Sequence, residues 1–432
     1  MQRRFKPLKA NRSKVAAALV LTALALFLVP GAVPGGAWLD RAGAQQEETP
    51  EGTPEEAPGA VPEPPEVEVL SWGLADAESG EFLAGENPDE QLPIGSVTKI
   101  MSALVVVEEG TNLDEEVTIS GEAESFVGGV YSNVGLISGE RVTVRDLLVA
   151  ALVASGTEAV YALAEHVGDG SVENFVGMMN EEVASLGLEN TNFETPAGLD
   201  TDGNYSSARD LTILGREALR DPLIAEAVDS QDATINTQNR EIEINNTNQL
   251  LNSYPPTTGV KTGTTPEAGA NLVASAESND ESFIAVVIGA EDSDQRFLAS
   301  ESLLEYAFAR YERRPLINQD EVYGEAALPY RPDEFVELAA AGEVVGLVDD
   351  SSEVERNVSV QEELPPSASA GEELGEVEVL VNGRRVGRSP LVAQEGYEEA
   401  SLWRKISSTI SSTAGGLLER AQEAVAGLFS GE

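Results

Sequence analysis

The sequence has no cysteine and a single histidine, His166. The first absence excludes a disulfide framework, a thiol nucleophile, an iron–sulfur cluster and a cysteine-rich zinc site. The second excludes a multi-histidine metal site and obliges any Ser-His-Asp triad to use His166. Basic residues are scarce as well: 27 Lys and Arg stand against 75 Asp and Glu, a formal net charge of −48. Such a chain repels nucleic-acid phosphates, which argues against a nucleic-acid partner. What is present suffices for folding: 432 residues, 41% of them hydrophobic, suggest two or three domains with buried cores.

The first residues read as an address. Arg3, Arg4, Lys6, Lys9, Arg12 and Lys14 precede an uncharged apolar run from Val15 to Val29, closed by Pro30. A basic stretch followed by a short apolar one is the pattern of a secretory signal, assigned to residues 1–44. The run falls short of the roughly 18 residues of a spanning helix, although an uncleaved signal-anchor is the alternative. Either reading puts the bulk of the chain outside the cytoplasm, in the cell-wall space or on the outer face of the membrane. Residues 45–68 interleave Glu and Pro with few apolar residues. They cannot bury enough surface to offset their ordering entropy and read as an extended tether, or as a pro-segment.

Val69–Leu74 and Phe82–Ala84 flank a turn-rich stretch and predict a β-hairpin. Beyond them, Ile100, Ala103, Leu104 and Val107 carry a helical period. Ser96 stands at the start of that helix, where it could simply be a cap. It could also be a nucleophile, because Ser96 and Lys99 are three apart and share one helix face. A desolvated lysine can be neutral, and a neutral amine beside a hydroxyl can take its proton. Taken alone, a Ser-x-x-Lys is expected about once by chance in a chain of this length.

Two later segments add weight. One helix runs from Val142 to about Ala154, and Glu158–Val167 is helical again, with Ser155-Gly156-Thr157 between them. A hydroxyl at such a break can face a cleft, or cap the second helix. Lys261-Thr262-Gly263 lies on a strand ahead of two more, Ala270–Ala276 and Phe283–Ile288. Gly263 would let a ligand approach the backbone; the plainer reading is a strand end with an exposed lysine. His166, on an apolar helix face, reads as packing.

The order Ser-x-x-Lys, Ser-x-x, Lys-Thr-Gly resembles that of penicillin-binding proteins and serine β-lactamases. The likeness is broader than three motifs. It takes in Leu92–Met101, Gly139–Leu148, Ala162–Val167, Phe193–Leu199 and Gly259–Gly263, and on these segments the chain resembles the serine-type D-alanyl-D-alanine carboxypeptidases, the low-molecular-mass penicillin-binding proteins. The resemblance implies an α/β fold: a β-lactamase/transpeptidase-like domain over residues 69–312, with an antiparallel sheet flanked by helices. A small β-rich domain over 313–397 and an amphipathic helix over 398–432 would follow.

The resemblance also implies roles. Ser96 would attack the peptide carbonyl between two terminal D-alanines of a peptidoglycan stem peptide and form an acyl-enzyme. Lys99 would be its base, and Ser155 would relay the proton to the departing D-alanine. Lys261, Thr262, Gly263, Thr264 and Arg296 would bind substrate, with the Ser96 and Thr264 amides as the oxyanion hole. Thr157 stands where the family usually has Asn, and is carried as a further substrate contact. β-Lactams would be covalent inhibitors, and no metal or cofactor is called for.

In the C-terminal part, Glu334–Leu338 and Glu376–Val381 read as strands, and Asn382-Gly383 as a hairpin turn into Arg384–Val386. Leu402, Ile406, Ile410, Ala414, Leu417, Ala421, Val425 and Leu428 form one apolar stripe with Trp403 and Phe429 beside it, suited to a membrane surface. A helix packed on the β-rich domain or on a dimer partner is the alternative. Two rival functions remain at this level: a serine β-lactamase, and a catalytically weak penicillin- or wall-binding protein with Thr157 as its marker.

Overall fold

The computed structural model describes residues 63–406. The expected signal segment, residues 45–62 of the tether and the apolar stripe beyond Ile406 lie outside the described residues.

Strands β1 (Ser71–Asp76) and β2 (Phe82–Glu86) form the expected hairpin, with Trp72 opposite Glu86 and Leu74 opposite Ala84. A 3₁₀ turn, Gly95–Thr98, leads directly into α1 (Lys99–Glu108). Short strands β3 (Glu116–Thr118) and β4 (Arg141–Thr143) pair across α2 (Gly121–Glu124) and the loop that follows it. Then come α3 (Val144–Val153), α4 (Thr157–Val167), α5 (Val172–Leu186), α6 (Ala208–Ala218) and α7 (Pro222–Asp229). The helix expected from Val142 begins two residues later. Val142 instead pairs with Val117, and the Thr143 hydroxyl accepts from the Asp146 amide as the cap of α3. Ser171, Ser207 and Asp221 cap α5, α6 and α7 in the same way, and Pro222 occupies the first turn of α7, where a missing N–H does no harm.

The hairpin of β5 (Asp232–Asn236) and β6 (Glu241–Asn245) and the single turn α8 (Leu250–Ser253) precede three long strands. These are β7 (Thr257–Thr265), β8 (Gly269–Ser278) and β9 (Glu281–Ala290), and they are followed by α9 (Ser293–Arg310). The resulting antiparallel sheet has the order β2-β1-β9-β8-β7. Its central strands β8 and β9 are buried along nearly their whole length because both faces are covered. With the two-residue alternation of a strand, Val273, Ile284, Val286 and Ile288 join the core formed with α1 and α3–α7, while Leu272, Ala274, Ala285 and Val287 join the core under α9.

The chain then enters an all-β region: β10 (Glu312–Ile317), β11 (Val322–Leu328), β12 (Arg331–Ala340), β13 (Val344–Val348), β14 (Val354–Val360), β15 (Glu373–Val381) and β16 (Arg384–Ala393). Five strands make a sheet of order β11-β12-β16-β15-β14, and β10 pairs with β13. Asn382 and Gly383 both have positive φ, 51° and 77°, as a two-residue hairpin turn between β15 and β16 requires. Residues 402–406 are helical, with Leu402 and Trp403 79% and 77% exposed. Among the described residues no helix is long and apolar enough to cross a membrane.

Arg313 of β10 ties the all-β region to the first hairpin. Its guanidinium contacts the fully buried Asp76 carboxylate and lies 3.2 Å from Glu78, and its backbone N–H donates to Glu281 at 3.2 Å. Removing one member of a buried charge pair leaves the other desolvated and uncompensated, at a cost of about 3 kcal/mol. Arg313→Met is therefore expected to destabilise the protein by about that amount in denaturant unfolding followed by circular dichroism. Arg384→Met, which removes an exposed pair with Glu81, should change stability by less than about 1 kcal/mol.

Candidate active site

Ser96 is not a cap. It lies inside the 3₁₀ turn, and the cap position of α1 is Thr98, which makes no side-chain cap bond. Residues three apart eclipse one another in a 3₁₀ turn, and here that brings Lys99 Nζ to 2.6 Å from Ser96 Oγ. Nζ also donates to the Ala197 carbonyl at 3.2 Å. Ser96 is half-buried, while Lys99 is 1% exposed. Burial pulls the Lys99 amine down to about 7, with the Glu158 carboxylate opposing the shift. Gly95 opens the turn at φ 55°, and a side chain there would meet Thr264 N at 3.2 Å, so β7 runs close against the serine.

Ser155 follows the end of α3 at φ 61°, a left-handed conformation that disfavours residues with a Cβ. Strain of this kind clusters at functional sites. Ser155 does not cap α4 either: that position belongs to Gly156, which has no side chain to offer. The Ser155 Oγ is buried and makes no hydrogen bond within the protein. The turn is fixed by backbone bonds, Gly156 N–H to Ala150 O and Thr157 N–H to Ser132 O, each 2.9 Å. Thr157 is buried and begins α4, one residue earlier than the sequence pattern implies.

Lys261 is buried rather than exposed, and its Nζ donates to the Thr262 carbonyl at 3.1 Å. Burial pushes it well below the ordinary lysine range, and the charges of Lys99 and Arg296 add to the effect. Thr262 Oγ1 lies 2.7 Å from Thr247 Oγ1, and the Thr247 N–H donates to Val153 O at 3.1 Å. Thr247 thus links the Lys-Thr-Gly strand to the end of α3, two residues before Ser155. At Gly263 a Cβ would sit 2.2 Å from the Ile94 carbonyl oxygen and 3.0 Å from Val97 N. The close approach that requires glycine here is made by the chain's own nucleophile segment, a correction to the reading that a ligand requires it. Arg296 of α9 is 5% exposed and donates to Gly263 O at 3.2 Å and to Thr264 Oγ1 at 2.8 Å. Burial lowers it to about 10. Its contacts hold the outer edge of β7, where Thr264 is exposed.

The fold therefore sets Lys99 against Ser96, lays the Lys261–Thr264 strand beside the serine turn, ties that strand through Thr247 to the end of α3 just before Ser155, and holds it with Arg296. Three contributors escaped the sequence reading. Thr247 and Asn204 carry no motif. Asn204 is buried, its amide donates to Thr98 Oγ1 at 3.1 Å, and its carbonyl accepts from the Glu194 and Thr195 amides at 3.3 Å. It thereby fixes the loop whose Ala197 carbonyl faces Lys99. Glu158 had a signal, being an acidic residue at the start of an apolar helix beside a motif serine. His166 is half-buried, with Nε2 3.8 Å from a Glu115 carboxylate oxygen.

Comparison with known proteins matches this architecture twice. Residues 59–292 match the family model described as D-alanyl-D-alanine carboxypeptidase, and residues 311–399 that of the penicillin-binding protein 5 C-terminal domain. The chain is 32% identical to the D-alanyl-D-alanine carboxypeptidase DacF of Bacillus subtilis, over 77% of this chain and 87% of that one. With DacC of Escherichia coli it shares 34% over 80% and 88%. Penicillin binding protein 5 from Haemophilus influenzae superposes with a TM-score of 0.62 at 32% identity, covering 78% of this chain and 99% of that structure. The Streptomyces K15 DD-transpeptidase superposes at 0.55 and 34% identity over 57% and 99%. A five-stranded antiparallel sheet between two helical cores, with a β-rich region behind it, is thus shared along most of the chain, which belongs to the D-alanyl-D-alanine carboxypeptidase family.

Proposed function

We propose that Ser96 is the nucleophile with which this chain removes the terminal D-alanine from peptidoglycan pentapeptides. The observation that carries the assignment is the 2.6 Å approach of a buried lysine amine to a half-buried hydroxyl. An amine with a pKa near 7 is neutral in a large fraction of molecules at neutral pH and can accept the serine proton as the C–O bond forms. The amides of Ser96 and Thr264 receive the oxyanion. The C–N bond then breaks, and the proton passes through Ser155 to the departing amine. Water hydrolyses the acyl-enzyme. Ser155, with a buried hydroxyl that no protein group occupies, is free to bond the substrate nitrogen. Lys261, whose protonated form a bound anion would favour, and Thr262 supply an amine and a hydroxyl for the substrate carboxylate, and Arg296 acts through Thr264. Thr157 reaches less far than the usual Asn and contacts substrate through water.

The same constellation takes up β-lactams as covalent inhibitors. We assign residues 69–312 to the catalytic domain and 313–397 to the β-rich domain, with the chain exported to the cell-wall space. The segment from 398 onward rests on the membrane surface, a reading supported by the exposure of Leu402, Trp403 and Ile406.

Incubation with diacetyl-Lys-D-Ala-D-Ala and with a chromogenic cephalosporin separates the readings. D-alanine release is expected; fast cephalosporin turnover would indicate a β-lactamase, and neither reaction an inactive binder. Ser96→Ala should lower D-alanine release by at least about 1000-fold. Because the base must be neutral, acylation should climb as pH rises through about 7 and level off above it; a rate that falls over that interval would contradict Lys99 as base. Thr157→Asn should keep or raise D-alanine release, and a large loss would show that threonine is specifically required. Finally, the chain ending at Tyr397 should fractionate as soluble. Retention equal to that of the full chain, with the signal removed from both, would end the membrane assignment.

A further inference from the structure

Glu158 is 0% exposed, yet among the described residues it forms no salt bridge. Its Oε1 accepts three backbone N–H groups of one loop: Val134 at 2.7 Å, Gly135 at 2.9 Å and Leu136 at 3.3 Å. Its Oε2 is buried and makes no hydrogen bond within the protein. That oxygen lies against the Ser155 turn, since a Cβ on Gly156 would stand 3.5 Å from it. A carboxylate sealed in this way is costly unless a charge nearby repays it. The charge available is the ammonium that Lys99 becomes after it takes the serine proton.

We propose that Glu158 is a positioning residue for acylation: it holds the 134–136 loop beside the Ser155 turn and serves as the counter-charge to Lys99 once that amine is protonated. The inference rests on the assignment of Ser96 and Lys99 above and deepens it. In the step concerned, the Ser96 proton moves to Nζ while Oγ bonds to the carbonyl carbon, so positive charge appears on Lys99 inside a low-dielectric site. Lys261 of β7 is a second buried amine at the site, and the charges of Lys99 and Arg296 disfavour its own protonation. Glu158 is the group whose field favours the charge on Lys99.

The remaining charges on the elements around α1 and α4 are engaged elsewhere or turned outward. Glu124 of α2 accepts from the Ser138 amide, Glu116 of β3 pairs with Arg141, and Asp146 of α3 accepts from Thr143 Oγ1. Glu165 of α4 itself accepts from Ser120 Oγ, and His166 faces Glu115. On α6, Arg209 pairs with Asp89, Asp210 accepts from Thr191 and Arg216 donates to backbone carbonyls; Glu217 pairs with Arg220. Glu122, Arg145, Glu173 and Glu181 are exposed, and Glu182 sits beside Glu108.

Glu158→Gln keeps an oxygen for the three amides and removes the charge. The test is the rate of acylation by a fluorescent penicillin, followed by stopped flow from pH 5.5 to 9 with the full-length protein. The acid limb of E158Q is expected about half a unit or more below that of the wild type, because the amine loses the field that favours its proton. The plateau rate is expected about tenfold lower, because the developing ammonium loses its partner. Glu158→Asp keeps the charge and shortens the reach, so its limb should stay with the wild type even if its rate falls. This second variant also decides the matter if E158Q does not fold. An E158Q limb and plateau that match the wild type, or an E158D limb displaced to lower pH, would overturn the proposal while leaving Ser96 and Lys99 in place. A wild-type protein that takes up no penicillin overturns the functional reading, and this inference with it.

Discussion

The structure is organised around the removal of water from one amine. Lys99 can stand beside Ser96 as a proton acceptor because its surroundings disfavour its charged form, and those surroundings are most of the first domain. Ile100, Ala103 and Leu104 anchor α1 in the helical core, the Ala197 loop covers the amine from one side, and β7 closes against the serine turn from another. Gly263 is the sharpest sign of how tightly these parts fit, since a single methyl there would collide with the Ile94 carbonyl. The cost of burying an amine is moderated by its being able to shed its proton, which is why a lysine and not an arginine can occupy this place.

The distribution of lysine makes the same point from the sequence side. Between residues 63 and 406 the chain has three lysines, and two of them, Lys99 and Lys261, are buried at the candidate site. In a chain with 75 acidic residues, that placement gathers two amines whose charged forms burial disfavours at the site proposed above for a peptide terminus. Burial separates the two amines from the acidic exterior, and each donates to a backbone carbonyl, that of Ala197 for Lys99 and that of Thr262 for Lys261.

Much of this was legible in the sequence. The three motifs, the hairpin at the start, the β15–β16 turn and the two helices around Ser155 all follow from short-range rules of spacing, capping and turn chemistry. The roles of single residues were harder to read where two local explanations competed. Ser96 and Ser155 both stood where a helix cap was reasonable, and only the 3₁₀ geometry and the positive φ show that neither hydroxyl is used for capping. The start of α3 was misplaced because Val142 fits an apolar helical period as well as a strand, and its partner Val117 is 25 positions away. Thr247 and Asn204 were invisible because their value lies wholly in distant partners: Thr262 and Val153 for one, Thr98 and the Thr195 loop for the other.

One residue in the loop after α2 is gripped on both sides. The Gly135 N–H is held by Glu158, and the Gly135 carbonyl accepts from Arg240 at 2.6 Å, whose guanidinium is in turn clamped by Glu140. Arg240 belongs to the turn between β5 and β6, more than eighty residues beyond Glu158 and without a motif of its own. Drift in the length or sequence of that hairpin among related enzymes would therefore be transmitted to the loop that Glu158 holds, giving evolution a dial for adjusting the surroundings of Ser155 while the reacting groups stay untouched.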